Sequence, residues 1–127
     1  MSFTLIDQSS ENFEFSANVW NWRAALAVIK SFNIVSESAL RQMGSNASGE
    51  IITEDEAHLI AEKIREDILP QLVPNKRIFE NLSVTDKPDD GTIYKDRDDQ
   101  WKNYSAKHDW LDDLADFCSK SKGFKVY

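Results

Sequence analysis

The chain alternates between stretches of dense apolar periodicity and stretches of nearly continuous polarity. Phe3-Thr4-Leu5-Ile6 has the β-branched and aromatic character of a short strand. Ser9 to Glu14 is polar and reads as irregular. Either Ser16 or Asn18 then supplies a side-chain oxygen to cap a helix from about Val19 to Phe32. Its apolar residues cover almost the whole circumference, broken only by Asn21, Arg23, Lys30 and Ser31, which predicts a helix in the middle of the fold.

Ser36 begins a shorter helix with Ala39, Leu40 and Met43 on its apolar face, and Gly44 is expected to stop it in a left-handed conformation. Ser45 to Gly49 reads as a loop. Thr53-Glu54-Asp55-Glu56 has the form of a capping box, a hydroxyl at the cap answered by a carboxylate three residues later. The helix it opens carries Ala57, Ile60, Ala61, Ile64 and Ile68 at spacings of three and four, with charged residues between them. Pro70 and Pro74 bracket its end.

Asn75 to Leu82 reads as a turn or two of helix, with Ile78, Phe79 and Leu82 facing inward. Ser83 to Gln100 looks like a long loop. Ser105 is expected to cap a last helix through about Ser121, on which Trp110, Leu111, Leu114, Phe117 and Cys118 form one stripe. Gly123 ends it, and Phe124-Lys125-Val126-Tyr127 alternates like a strand. The fold class is therefore mainly α (α+β): four to five helices, with a small sheet in which the N- and C-terminal strands pair.

Length and composition narrow the picture. At 127 residues the chain is expected to form a single domain, 1–127, and to bury enough surface to need no staple. Apolar residues at 41% and charged residues at 29% exclude wholesale disorder. Fifteen Lys+Arg against 22 Asp+Glu give a formal charge of -7, which disfavours binding nucleic acid through phosphate neutralisation. The longest unbroken apolar run, Ala24 to Ile29, is far too short to cross a bilayer, so no membrane association is expected. One cysteine and an N-terminus without a signal-like apolar core point to the cytoplasm. The N-x-[ST] triplets at Asn46, Asn81 and Asn103 then have no glycosylation to serve.

Candidate chemistry is sparse. Asp86-Lys87-Pro88-Asp89-Asp90-Gly91 resembles the start of a calcium loop, but proline at position 3 and Arg97 at position 12 remove two ligands. His58 lies one turn from Glu54 and from Glu62, and His108 one turn from Asp112; such spacing more often makes surface charge pairs than metal sites. Cys118 falls on the apolar stripe and reads as a buried small hydrophobe rather than a nucleophile. No nucleophile elbow, Walker loop or dinucleotide fingerprint occurs, and no metal or cofactor is implied. Lys120 and Lys122 suit the negative end of the last helix.

Two stretches carry a resemblance. Asn18-Val19-Trp20-Asn21-Trp22-Arg23 resembles the N-x-W-x-W-R-P segment of small uncharacterised proteins of bacteria and their phages. The ending Phe117-Cys118-Ser119-Lys120-Ser121-Lys122-Gly123-Phe124-Lys125-Val126 is similar to their F-x-x-x-S-G-G-F-x-I close. Ala24 stands in place of the proline and Lys122 in place of the first glycine. The resemblance implies a shared architecture and carries no catalytic residue with it.

Two classes of function follow. In the first, this acidic domain is a non-catalytic interaction module, inhibitor- or immunity-like, that meets a basic protein partner. Trp20, Trp22 and Arg23 would supply the anchor, and Asp89, Asp90, Asp96, Asp98 and Asp99 the charged rim. Tryptophans two apart point about 200° from each other on a helix, so they cannot both face the same neighbour: either one lies in the core and the other in an interface or groove, or a central helix touches neighbours all round and Arg23 pairs with a local carboxylate. Self-association through a tryptophan face is a variant of this reading. The alternative is a carboxylate- or metal-dependent enzyme using Asp86, Asp89, Asp90 or Asp96, Asp98, Asp99.

Overall fold

A computed structural model describes residues 2–45 and 51–127. Most of the expected loop after Ser45 and the Asn46 triplet lie outside the described residues. The fold is α+β, with two small antiparallel sheets among the helices.

Strand β1 (Ser2–Asp7) is the N-terminal strand, and its alternation is clean: Phe3, Leu5 and Asp7 point inward. It pairs with β2 (Glu14–Asn18) on one side and with β7 (Gly123–Val126) on the other, placing Leu5 opposite both Phe15 and Val126. The two chain ends thus pair as expected. The sheet is wider than that pairing, because β3 (Ile52–Thr53) adds to the far edge of β7, giving the order β2-β1-β7-β3. The irregular reading of Ser9–Glu14 holds as far as Phe13, and strand β2, which begins at Glu14, is an element the sequence reading lacks. Only Phe15 and Ala17 of its residues turn inward, and polar neighbours hide that two-residue period.

Asn18 caps α1 (Val19–Ser31) by accepting from the Asn21 N–H. One face of α1 buries Trp22, Ala24, Ala25, Val28 and Ile29, while Trp20, Arg23 and Lys30 stay exposed, so the helix is less enclosed than its apolar content predicts. Ser36 caps α2 (Glu37–Met43). Gly44 follows it with φ at −86°, a right-handed closure rather than the expected left-handed one.

The capping box forms as read: Glu56 N–H donates to Thr53 Oγ1 at 3.1 Å, and Thr53 N–H to Glu56 Oε1 at 3.0 Å. It opens α3 (Glu54–Lys63), whose apolar stripe continues through a π-helical turn at Ile64–Ile68 and a 3-10 turn at Leu69–Leu72.

The second sheet has the order β5-β4-β6 and overturns three expectations. Arg77–Phe79 is strand β4, not helix, and Leu82 is exposed with φ at 70° instead of facing inward. Val84–Thr85 forms β5, and residues Arg97–Asn103 form a 3-10 helix, so the acidic stretch 83–100 is only partly loop. Ser105–Lys107 is strand β6, and Ser105 accepts from Arg77 Nη1 at 3.0 Å instead of capping a helix. The last helix, α4 (His108–Lys120), starts two residues later than a cap at Ser105 implies, with no side-chain cap. Its stripe of Leu111, Leu114, Phe117 and Cys118 is buried and packs against α3.

Residues from both sheets and all four α-helices meet in one buried cluster, with Phe3, Trp22, Ile60, Ile78, Leu111 and Phe124 among its members. No helix of the described residues is long and apolar enough to cross a membrane.

Candidate functional site

The two tryptophans of α1 have opposite environments. Trp22 is 0% exposed, 6.1 Å from Phe3 between ring centroids, and its indole N–H donates to the Met43 carbonyl at 2.9 Å. That bond satisfies a donor which would otherwise be costly to bury. Trp22 is therefore part of the core, and its candidacy as a contact residue is withdrawn. Trp20 is 45% exposed.

Helical spacing places Trp20 and Arg23 on one face of α1, and both reach Tyr104. Trp20 stacks on the Tyr104 ring with centroids 5.5 Å apart and planes 23° apart. The Arg23 guanidinium carbon lies 4.1 Å from the same ring centroid, and Arg23 Nε is 2.7 Å from Glu80 Oε2. Glu80 follows β4, and its N–H donates to the Tyr104 carbonyl at 3.0 Å. Asn21 Nδ2 donates to the Ser105 carbonyl at 2.7 Å, tying the same first turn of α1 to β6. The partner of Arg23 is a carboxylate 57 positions away, not the local one that sequence reasoning foresees.

The rim residues approach from the segment between β5 and β6. Asn103 makes a double bridge to Tyr94, its oxygen accepting from the Tyr94 N–H at 2.7 Å and its amide donating to the Tyr94 carbonyl at 2.9 Å. Trp101 meets Phe79 edge-on at 5.1 Å, and Lys102 lies 5.4 Å from the Tyr94 ring centroid. These contacts hold the 3-10 helix directly before Tyr104, with Asp96 and Asp98 exposed and Asp99 paired to Lys102 at 3.1 Å. Asp89 borders the same hollow as Asn21, Ser105 and Trp110. Asp89 and Asp90 accept from the N–H groups of Gly91 and Thr92, and hydrogen bonds from Thr92, with the Arg77 charge behind them, hold the Asp90 carboxyl below its usual range.

Among the described residues no group of three or more His, Cys, Asp and Glu side chains gathers as a metal ion would need. His58 Nε2 contacts the Ser121 carbonyl at 3.1 Å, and His108 Nδ1 contacts Asp109, not Asp112, at 3.0 Å. Cys118 is buried, and desolvation pushes its thiol up to about 12.

Tyr104 and Glu80 are the members of this face that sequence reasoning misses. Glu80 lies in no motif and Tyr104 only in the middle of the Asn103 triplet; the hint is the aromatic density of Tyr94, Trp101 and Tyr104 beside the acidic run. No family model, curated protein or solved structure matches this chain.

Proposed function

We propose that this protein is a non-catalytic binding module, inhibitor- or immunity-like, that seats a basic partner protein on the Trp20–Tyr104–Arg23 face. The observation that carries the reading is an exposed tryptophan already stacked on a tyrosine and buttressed by an ion-paired arginine. An aromatic anchor held in its contact geometry loses little side-chain entropy on association, and Trp, Tyr and Arg are the residue types that dominate interface energies. Asp89, Asp90, Asp96, Asp98 and Asp99 supply negative charge that steers a cationic surface towards the anchor. The net charge of -7 acts in the same direction.

A low-salt capture from native lysate tests the reading, with wild type, Trp20→Ala and the triple variant Asp96→Asn/Asp98→Asn/Asp99→Asn run side by side. A basic protein held by wild type and released from both variants supports it. Identical capture by all three, or repeated failure of wild type to hold any partner, contradicts it.

A further inference from the structure

The three-stranded sheet places like charges opposite one another. In the β4–β6 register Arg77 is the direct partner of Lys107. Such a pairing is destabilising on its own. Lys76, Arg77, Lys87 and Lys107 all line one concavity of about 280 Å³ at the start of α4, together with Asn75, His108 and Asp109. None of those four cations has an ion-pair partner among the described residues, although the chain carries 22 acids to 15 bases.

Asp109 and Asp90 have partners of their own, although Asp90 also feels the Arg77 charge, and Asp86 shares a neighbouring hollow with Lys76. Asp109 Oδ1 contacts His108 Nδ1 at 3.0 Å, and Asp90 accepts from the Thr92 N–H. The Arg77 side chain is fixed by its own bonds: Nε donates to the Lys87 carbonyl at 2.9 Å and Nη1 to Ser105 Oγ at 3.0 Å. A guanidinium pinned in this way presents its remaining donors in a set direction, while the flexible lysines around it act as mobile point charges. The positive end of the 13-residue helix α4 adds to the same potential.

We propose that this concavity binds a phosphate-type oxyanion, as free phosphate or as a small phosphomonoester, through Arg77, Lys76, Lys87 and Lys107. Several cations converging on a small hollow match a compact anion of more than one charge with several acceptor oxygens better than they match a single carboxylate. This proposal does not rest on the reading of the Trp20 face, although the two areas adjoin at Lys107, which also borders the hollow of Asn21, Asp89 and Trp110.

Thermal melting of the full chain in inorganic phosphate, in O-phosphoserine and in chloride at equal ionic strength tests the proposal. Phosphate is expected to raise the melting temperature above that in chloride, since a ligand of the folded state stabilises it. A larger rise with O-phosphoserine than with phosphate assigns the site to a monoester, and an equal or smaller one to the free ion. Lys87→Ala/Lys107→Ala alters two exposed side chains and is expected to weaken phosphate binding by calorimetry at least about tenfold. Lys107→Glu gives Arg77 an opposite charge and is expected to raise the melting temperature in chloride while abolishing the phosphate response. Equal melting of wild type in phosphate and chloride, or an undiminished phosphate response in either variant, overturns the proposal.

Discussion

The indole of Trp20 stacks on the ring of Tyr104 on the outside of the molecule, centroids 5.5 Å apart, although 84 positions separate the two residues. The stack joins α1 to the residue between the 3-10 helix and strand β6. It also separates the two tryptophans of α1 by role: Trp20 costs little to remove, and Trp22 costs a great deal. Chemical denaturation is expected to show a loss of about 1–2 kcal/mol for Trp20→Ala, from partial burial and one aromatic pair. Trp22→Ala is expected to lose about 3–5 kcal/mol. Equal losses at the two positions would contradict this division.

Asp7 is 3% exposed and closes the turn between α4 and β7. It accepts from Ser121 Oγ at 2.7 Å, from the Lys122 N–H at 2.8 Å, and from both the N–H and hydroxyl of Ser9. Burial raises its carboxyl, but these hydrogen bonds outweigh burial and hold it below the usual range. A folded-state value below the unfolded one stabilises the protein above pH about 4 and is lost as pH falls through the folded value. Asp7→Asn is therefore expected to cost about 1–3 kcal/mol in urea denaturation at pH 6. The gap between wild type and variant should shrink on acidification, and a gap independent of pH would count against this account.

Gly123 has φ at 104°, and a Cβ placed there would lie 2.9 Å from the Ile52 carbonyl oxygen. Both the left-handed backbone and the close approach of β3 exclude a side chain. Gly123→Ala is expected to destabilise by about 2 kcal/mol or more, exceeding the small entropic gain of losing a glycine. A melting temperature unchanged by the substitution would contradict the pairing of β3 with β7.

The thiol of Cys118, raised to about 12 by burial, should be inert while the protein is folded. An aromatic disulfide reagent at pH 8 is expected to react with it only after denaturant is added. Rapid reaction under native conditions would place Cys118 at the surface instead of in the α4 stripe.

The legible parts of the chain are those whose signal is local. The Thr53–Glu56 box, the Asn18 and Ser36 caps, and the stripe through Leu111, Leu114 and Cys118 each need only neighbouring residues to form. The second sheet was not legible because its strands are two or three residues long, too short to separate a strand period from a helical one. Ser105 looks like a helix cap in sequence, but its hydroxyl answers Arg77 from the neighbouring strand. The candidate face divides in the same way. Trp20 and Arg23 stand out in their hexapeptide, whereas Tyr104 and Glu80 join them only through the pairing of β4 with β6 and the packing of β6 against α1.

The most direct test of the binding reading is the affinity of the captured partner for wild type and for Trp20→Ala, measured by titration calorimetry on folded samples. The account predicts a loss of about thirtyfold or more for the variant, the effect of removing a central aromatic anchor. An affinity unchanged within about twofold would place the partner elsewhere on the surface and contradict the account.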